Sequence, residues 1–248
     1  MTTVLVTGAT DGLGRVVAGD LAAKGFSVLV HGRDPARAEA VAAEIGAAGV
    51  HIADFASLAQ VRALADDLPP LDVLVSNAAL ISEQRRVTAD GLELTFQVNH
   101  LAPFLLTLRT LERSAPRRVV HVASAGQQPL DFEDLMLERG YDEWRAYGQS
   151  KLAQIMFSFE LARRRPEVES VALHPATFMD TKMVRSRVGR PSSTVREGAD
   201  ATVRLAADLD LAVQGRYFNG LREARADPTA YDPDARKRLW DVSEQLVA

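Results

Sequence analysis

The chain has 248 residues, 47% of them hydrophobic and 25% charged, which is enough apolar content for one sizeable core. A net charge of −4 gives no basic field for nucleic acid or for an anionic membrane. There is no cysteine, hence no disulfide and no thiolate site, and His31, His51, His100, His121 and His174 show no metal-ligand spacing, so no metal is expected.

In chain order, residues 1–3 lead directly into Val4-Leu5-Val6 with no basic leader, and no apolar run is long enough to span a bilayer; a cytoplasmic location is the expectation. The run 4–6 reads as a buried parallel strand. Gly8, Gly12 and Gly14 follow, and then a helix opens. Glycine permits a tight turn and lets backbone N–H groups at a helix N-terminus approach a phosphate. The spacing Gly-x-x-x-Gly-x-Gly differs from the common Gly-x-Gly-x-x-Gly fingerprint, and a loop with structural glycines is the plain alternative.

A second strand, 27–31, ends in Gly32-Arg33-Asp34-Pro35. NAD-binding units place an acid near here on the ribose 2′-hydroxyl, whereas an arginine suits a 2′-phosphate. Asp34 is one candidate for that acid, but the preferred reading is an N-cap, with Pro35 at the first helical position before 36–45. That leaves Gly32 where the acid would sit, with Arg33 beside it. Arg15, behind the glycine loop, is a second candidate phosphate contact. Solvated surface charge is the alternative for both arginines.

Strands are expected over 50–53, 72–75, 118–122, 168–173 and 215–218, and helices over 58–68, 91–113, 142–165, 192–208 and 234–246. Pro103 interrupts the 91–113 helix and leaves a carbonyl near Asn99 free for water. Regular alternation implies a single α/β domain over 1–248. Its fold is a Rossmann-type, doubly wound parallel sheet of about seven strands with helices on both faces. Ligands then bind beyond the carboxyl ends of the strands, where the glycine loop, Asn77, Ser124 and Pro175 lie.

Tyr147 and Lys151 lie four residues apart on one face of the 142–165 helix. A tyrosine hydroxyl titrates near ~10, and an ammonium one turn away should favour the phenolate. Two ordinary side chains of an amphipathic helix are the alternative.

Together these pieces resemble the short-chain dehydrogenase/reductase family over essentially the whole chain. They are Thr7-Gly8-x-x-x-Gly12-x-Gly14, Asp54, Asn77-Ala78, Asn99, Ser124, Tyr147-x-x-x-Lys151 and Pro175 through Thr181, in family order. A narrower likeness is to the retinol dehydrogenase and WW-domain oxidoreductase-like branch, carried by 98–107, 146–153 and 239–244. Ala79 and Ala176 stand where the family often has glycine. Ser124 precedes Tyr147 by more than the family's common spacing; the extra stretch 131–140 is either a rim of the substrate cleft or a surface excursion.

The resemblance implies hydride transfer between a nicotinamide and a carbonyl or alcohol carbon. Tyr147 would donate the proton, Ser124 would hold the substrate oxygen, and Lys151 would hold the ribose and lower the tyrosine pKa. Asn99 would hold a relay water. Cofactor contacts are implied for Gly8, Thr10, Asp11, Gly12, Leu13, Gly14, Arg15, Arg33, Asp54, Phe55, Asn77, Ala78, Tyr147, Lys151, Pro175, Thr177 and Thr181. NADP(H) is preferred and NAD(H) possible. Beside Ser124, candidate substrate walls are Leu80, Ile81, Leu130, Phe178, Met179 and Met183. The stretch 177–191 resembles the family's lid, and Lys182, Arg185, Arg187 and Arg190 on it suggest either an anionic substrate or a solvated face. A small carbonyl or alcohol substrate is expected, with no nucleic acid or membrane partner. The Asn99 and Tyr147 helices commonly pair between subunits in this family, which implies a homodimer or homotetramer. The other readings are a catalytically silent dinucleotide-binding sensor or scaffold, and a sugar-nucleotide epimerase or dehydratase.

Overall fold

The computed structural model describes all 248 residues. Eight strands form one sheet in the order β3-β2-β1-β4-β5-β6-β7-β8. They are β1 (Thr3–Val6), β2 (Ser27–Gly32), β3 (Gly49–Ile52), β4 (Val73–Ser76), β5 (Arg118–Val122), β6 (Glu169–His174), β7 (Arg216–Asn219) and β8 (Arg222–Ala224). All pairings are parallel except β7 with β8. The central strands read as unbroken apolar runs because helices cover both faces. The eighth strand exceeds the expected count: it is three residues long and polar, and it returns along β7 as an edge.

On one face, α1 (Gly12–Ala23), α2 (Pro35–Ile45) and α8 (Val195–Ala207) share a core with Val4, Val6, Val28, Val75 and Val120. On the other face, α3 (Leu58–Asp67), α5 (Ala102–Arg113), α6 (Glu143–Arg164) and α9 (Pro233–Leu246) share a larger core with Leu5, Leu29, Leu74 and Val119. Alternate residues of each strand therefore feed opposite cores. No helix is long and apolar enough to cross a membrane. Asp34 caps α2 through the Arg37 amide, with Pro35 at its first turn, as expected.

The expected 91–113 helix is instead a composite. Glu93 caps a short turn, α4 (Leu94–Phe96), which passes through a π-helical turn at Gln97–Leu101 into α5. Pro103 has no N–H to give the Asn99 carbonyl, and the widened turn falls immediately before it. A short helix, α7 (Lys182–Arg187), occupies the 177–191 stretch.

Nearly every residue of α6 from Ala146 to Leu161 is buried within the chain. The 131–140 stretch is one reason. Leu135 and Leu137 are buried, and the Leu135 carbonyl accepts from Gln149 Nε2 at 2.8 Å. This stretch does not line the cleft: its apolar residues cover α6 while Glu133, Glu138, Arg139 and Gly140 face solvent, and α9 packs against the same helix. Between Ala146 and Leu161 only Tyr147 of α6 is partly exposed, while Trp144 near its start is 38% exposed.

Arg118 is the largest fully buried side chain. Its guanidinium pairs with Glu169 at 2.8 Å and donates to the carbonyls of Leu205, Asp208, Leu209 and Leu211. It thereby satisfies the C-terminal end of α8 and ties it to β5 and β6.

Candidate active site

The strand order reverses direction of travel between β1 and β4, and a cleft of about 730 Å³ opens beyond the strands' carboxyl ends. The glycine loop forms one wall. Gly8 has φ +65, and a Cβ there would lie 2.9 Å from the Ala78 Cα, so only glycine allows this approach. Thr7 fastens the two strand ends: its hydroxyl accepts from the amides of Asn77 at 2.9 Å and Ala78 at 3.0 Å. Asn77 Nδ2 returns a bond to the Thr7 carbonyl at 2.8 Å. His31 Nδ1 accepts from the Gly8 amide at 3.2 Å, and Nε2 lies 3.1 Å from the Ala53 carbonyl. These bonds require a neutral ring, and burial pushes the His31 pKa down to about 4. Its ring stacks on Phe55 at 4.6 Å.

Asp11 caps α1 by accepting from the Gly12 amide at 2.8 Å. The same carboxylate pairs with Arg37 at 2.9 Å and with Lys182 of α7 at 2.8 Å. The Lys182 hydrogen bond holds the Asp11 carboxyl below its usual range, with smaller help from Gly12 and Arg37. Arg33 and Arg37 both line the cleft, and Arg37 also donates to the Thr10 carbonyl at 3.3 Å. Arg37 escaped the sequence reading, since an arginine in an alanine-rich helix carries no pattern of its own. Arg15 does not reach the cleft: it pairs with Glu44 on α2 and is half exposed. The Asp54 carboxylate accepts from the Ala56 amide at 3.0 Å, and Asp54 and Phe55 close the far end of the cleft.

Ser124, Tyr147 and Lys151 meet on the cleft floor. Lys151 Nζ lies 5.6 Å from the Tyr147 ring centroid and donates to the Val122 carbonyl at 2.9 Å and to Gln154 Oε1 at 2.7 Å. An ammonium has three donors, so one remains. Burial alone pushes the Lys151 pKa down to about 7. Burial pushes the Tyr147 hydroxyl up, while a hydrogen bond with Ser124 opposes it. The Tyr147 hydroxyl is therefore pushed up rather than down, and the lysine is not among the causes of its shift. Desolvation of the phenolate dominates, and the ammonium is drawn toward neutral acceptors. A tyrosine held protonated is a proton donor.

Asn99 does not line the cleft. Its Oδ1 accepts from the Leu80 amide at 2.8 Å, and its Nδ2 donates to the Leu80 carbonyl at 2.9 Å and to Ser150 Oγ at 3.0 Å. The side chain is spent on the chain leaving β4, so only the backbone carbonyl is left to meet a water.

The opposite arm of the cleft is apolar. Leu80, Ile81, Phe178, Met179 and Met183 line it as expected, joined by Trp144, Val184 and Val188. Leu130 packs against the core instead. Phe178 sits at φ +44, a strained conformation for an aromatic residue, on the segment that enters the lid. Thr177 bonds His174 Nε2 at 2.9 Å, Thr181 caps α7, and Pro175, Thr177 and Thr181 all face the cleft. Three of the four lid cations are paired, Lys182 with Asp11, Arg185 with Asp180, and Arg187 with Glu83 and Glu143, while Arg190 is exposed and forms no ion pair.

The family model described as short chain dehydrogenase matches residues 2–190. The chain belongs to the short-chain dehydrogenase family. It is an oxidoreductase of that family and uses a nicotinamide dinucleotide, NAD(P), as cofactor. Retinol dehydrogenase 14 of Mus musculus is 38% identical over 291 residues, spanning 99% of this chain and 85% of its own length. DnrU of Streptomyces sp. (strain C5), provisionally named a daunorubicin C-13 ketoreductase, is 37% identical, spanning 99% and 92%. An uncharacterised Mycobacterium paratuberculosis protein of known crystal structure is 32% identical, with a TM-score of 0.83 over 100% of this chain and 93% of that one. A Beutenbergia cavernae structure provisionally described as an NAD(P)-dependent gluconate 5-dehydrogenase, with bound NADP, is 26% identical with a TM-score of 0.69 over 88% and 94%. The likeness to the retinol dehydrogenase branch is thus shared by close relatives.

Proposed function

We propose that this member of the family is an NADPH-preferring reductase of bulky, neutral, apolar ketones or aldehydes. One observation carries the reading: a single cleft runs from Arg33 and Arg37, past Ser124, Tyr147 and Lys151, to a wall of Trp144, Phe178, Met179 and Met183. The residues fit the cofactor. Lys151 keeps one N–H uncommitted at the cleft floor, and the first turn of α1 presents Leu13 and Gly14 to the cleft beyond the Asp11 cap. Gly8, Thr10, Gly12, Leu13 and Gly14 would hold the pyrophosphate. Asp54 and Phe55 would hold the adenine, Arg33 and Arg37 a 2′-phosphate, and Asn77, Ala78, Pro175, Thr177 and Thr181 the nicotinamide half. The bound cofactor supplies the hydride.

Tyr147 gives its hydroxyl proton to the carbonyl oxygen as that oxygen gains charge, and the alcohol forms. Ser124 donates a hydrogen bond to the same oxygen, most strongly where charge develops. The Lys151 ammonium stabilises the tyrosinate left behind and supports its reprotonation. Asn99 is a positioning residue that fixes Leu80 and so the wall beside the reacting carbon. The preference for neutral substrates rests on the pairing of Arg187 and Lys182, which leaves no free cation on the apolar arm. DnrU, by its name a ketoreductase, supports the reductive direction. A silent scaffold is disfavoured because nothing in the Ser124–Tyr147–Lys151 group is missing.

The test is cofactor oxidation with NADPH and NADH against a panel running from pyruvate to 9,10-phenanthrenequinone and polycyclic ketones. Turnover with NADPH that rises with apolar bulk is expected. Turnover confined to small anionic ketones, or faster with NADH, would overturn it.

A further inference from the structure

Resting on the reading of Lys151 above, we propose that Gln154 is a positioning residue: its side-chain carbonyl holds the Lys151 ammonium at the cleft floor and keeps it protonated during catalysis. Lys151 is 2% exposed, and its bound donors go to two uncharged oxygens, the Val122 carbonyl and Gln154 Oε1. The Val122 carbonyl comes from the end of β5. Gln154 comes from the same helix as the lysine, three residues on, on the same face.

The orientation of the Gln154 amide is informative. The side chain is 1% exposed, and its Nε2 has no hydrogen-bond partner. An ammonium only donates, so the amide must turn its oxygen to Nζ, and its nitrogen is left facing the interior. A buried amide that tolerates an orphan N–H to keep its oxygen on one atom is held there by that atom.

The titratable groups around Nζ do not supply a counter-charge. Tyr147 lies one turn back on α6 and is held protonated. His121 faces α6 from β5, and His100 from the π-helical turn, and burial pushes each down to about 3, so both rings are neutral. Lys151 is the charge that further disfavours a cationic His121. Burial leaves Lys151 near the point of losing its proton at neutral pH, so one neutral acceptor is enough to move the balance. A hydrogen bond accepted from the charged form favours that form.

The chain has only four lysines, Lys24, Lys151, Lys182 and Lys237, so ¹³Cε-lysine NMR resolves each titration without substrate. The Lys151 signal is identified by its loss in Lys151→Met. Gln154→Glu keeps the side-chain shape and adds a carboxylate, and should raise the midpoint by at least about one pH unit. Gln154→Met removes the acceptor and should lower it by at least about half a unit. The alkaline limb of kcat with NADPH and 9,10-phenanthrenequinone should move with each midpoint. Should Gln154→Met fail to fold, Gln154→Glu decides alone. An unmoved midpoint overturns the role of Gln154, whereas Lys151→Met that keeps turnover overturns the reading of Lys151 itself, whatever Gln154 does.

Discussion

Arg37 of α2 reaches Asp11 in the glycine loop, their side chains 2.9 Å apart. The carboxylate that caps α1 thus restrains one of the two arginines proposed to hold a 2′-phosphate. Arg33→Ala and Arg37→Ala should each raise KM for NADPH about tenfold or more, with little change for NADH, because a charge-assisted bond contributes ~1.5–3 kcal/mol before solvent screening. Asp11→Ser keeps the cap, frees Arg37 and removes a negative charge, so it should strengthen NADPH binding more than NADH binding. Paired steady-state kinetics with both cofactors check this, and unchanged selectivity in all three variants would contradict it. Gly32→Asp, the swap that the sequence alone suggests, is a poor test. A Cβ at Gly32 would lie 2.4 Å from Thr10 Cγ2 and displace a cleft residue.

Stability should fall as pH drops from about 6.5 toward 4. His31, His100 and His121 have folded pKa values of about 4, 3 and 3, all below the unfolded value. Between those values the unfolded chain binds protons that the folded chain refuses, so stability rises with pH across this window. Each histidine contributes a slope of about 1.4 kcal/mol per pH unit once its unfolded form is mostly charged. Urea unfolding at pH 7, 6 and 5 measures it. A midpoint that stays flat over that range would show that the rings are not held neutral.

Arg118→Met should destabilise the fold by about 3–5 kcal/mol, because it strands Glu169 and the carbonyls that end α8. The same urea titration reports it. A loss below about 1 kcal/mol, in the range of exposed ion pairs, would mean that water satisfies those carbonyls equally well.

The glycine loop, the Tyr147–Lys151 pair and the alternation of strands and helices were legible because each is local: a spacing, a cap or an apolar run. What stayed hidden depends on burial and on distant partners. Lys151 was expected to lower the Tyr147 pKa from helical spacing alone, but desolvation of both groups cannot be read from spacing. Arg15 and Arg37 look alike in sequence; Glu44 draws one away and Asp11 holds the other at the cleft. Leu130 was expected as a wall, yet the 131–140 stretch it leads into turns onto α6 and Leu130 packs against the core. The polar β8 has no apolar alternation to announce it.

The most direct measurement is the turnover of Tyr147→Phe with NADPH and 9,10-phenanthrenequinone, beside NADPH binding by fluorescence. Removing the one hydroxyl placed to give the proton should lower kcat by about 10²–10⁴-fold and leave the NADPH Kd within about threefold of native. A variant that keeps more than about a tenth of the native rate would contradict Tyr147 as the proton donor.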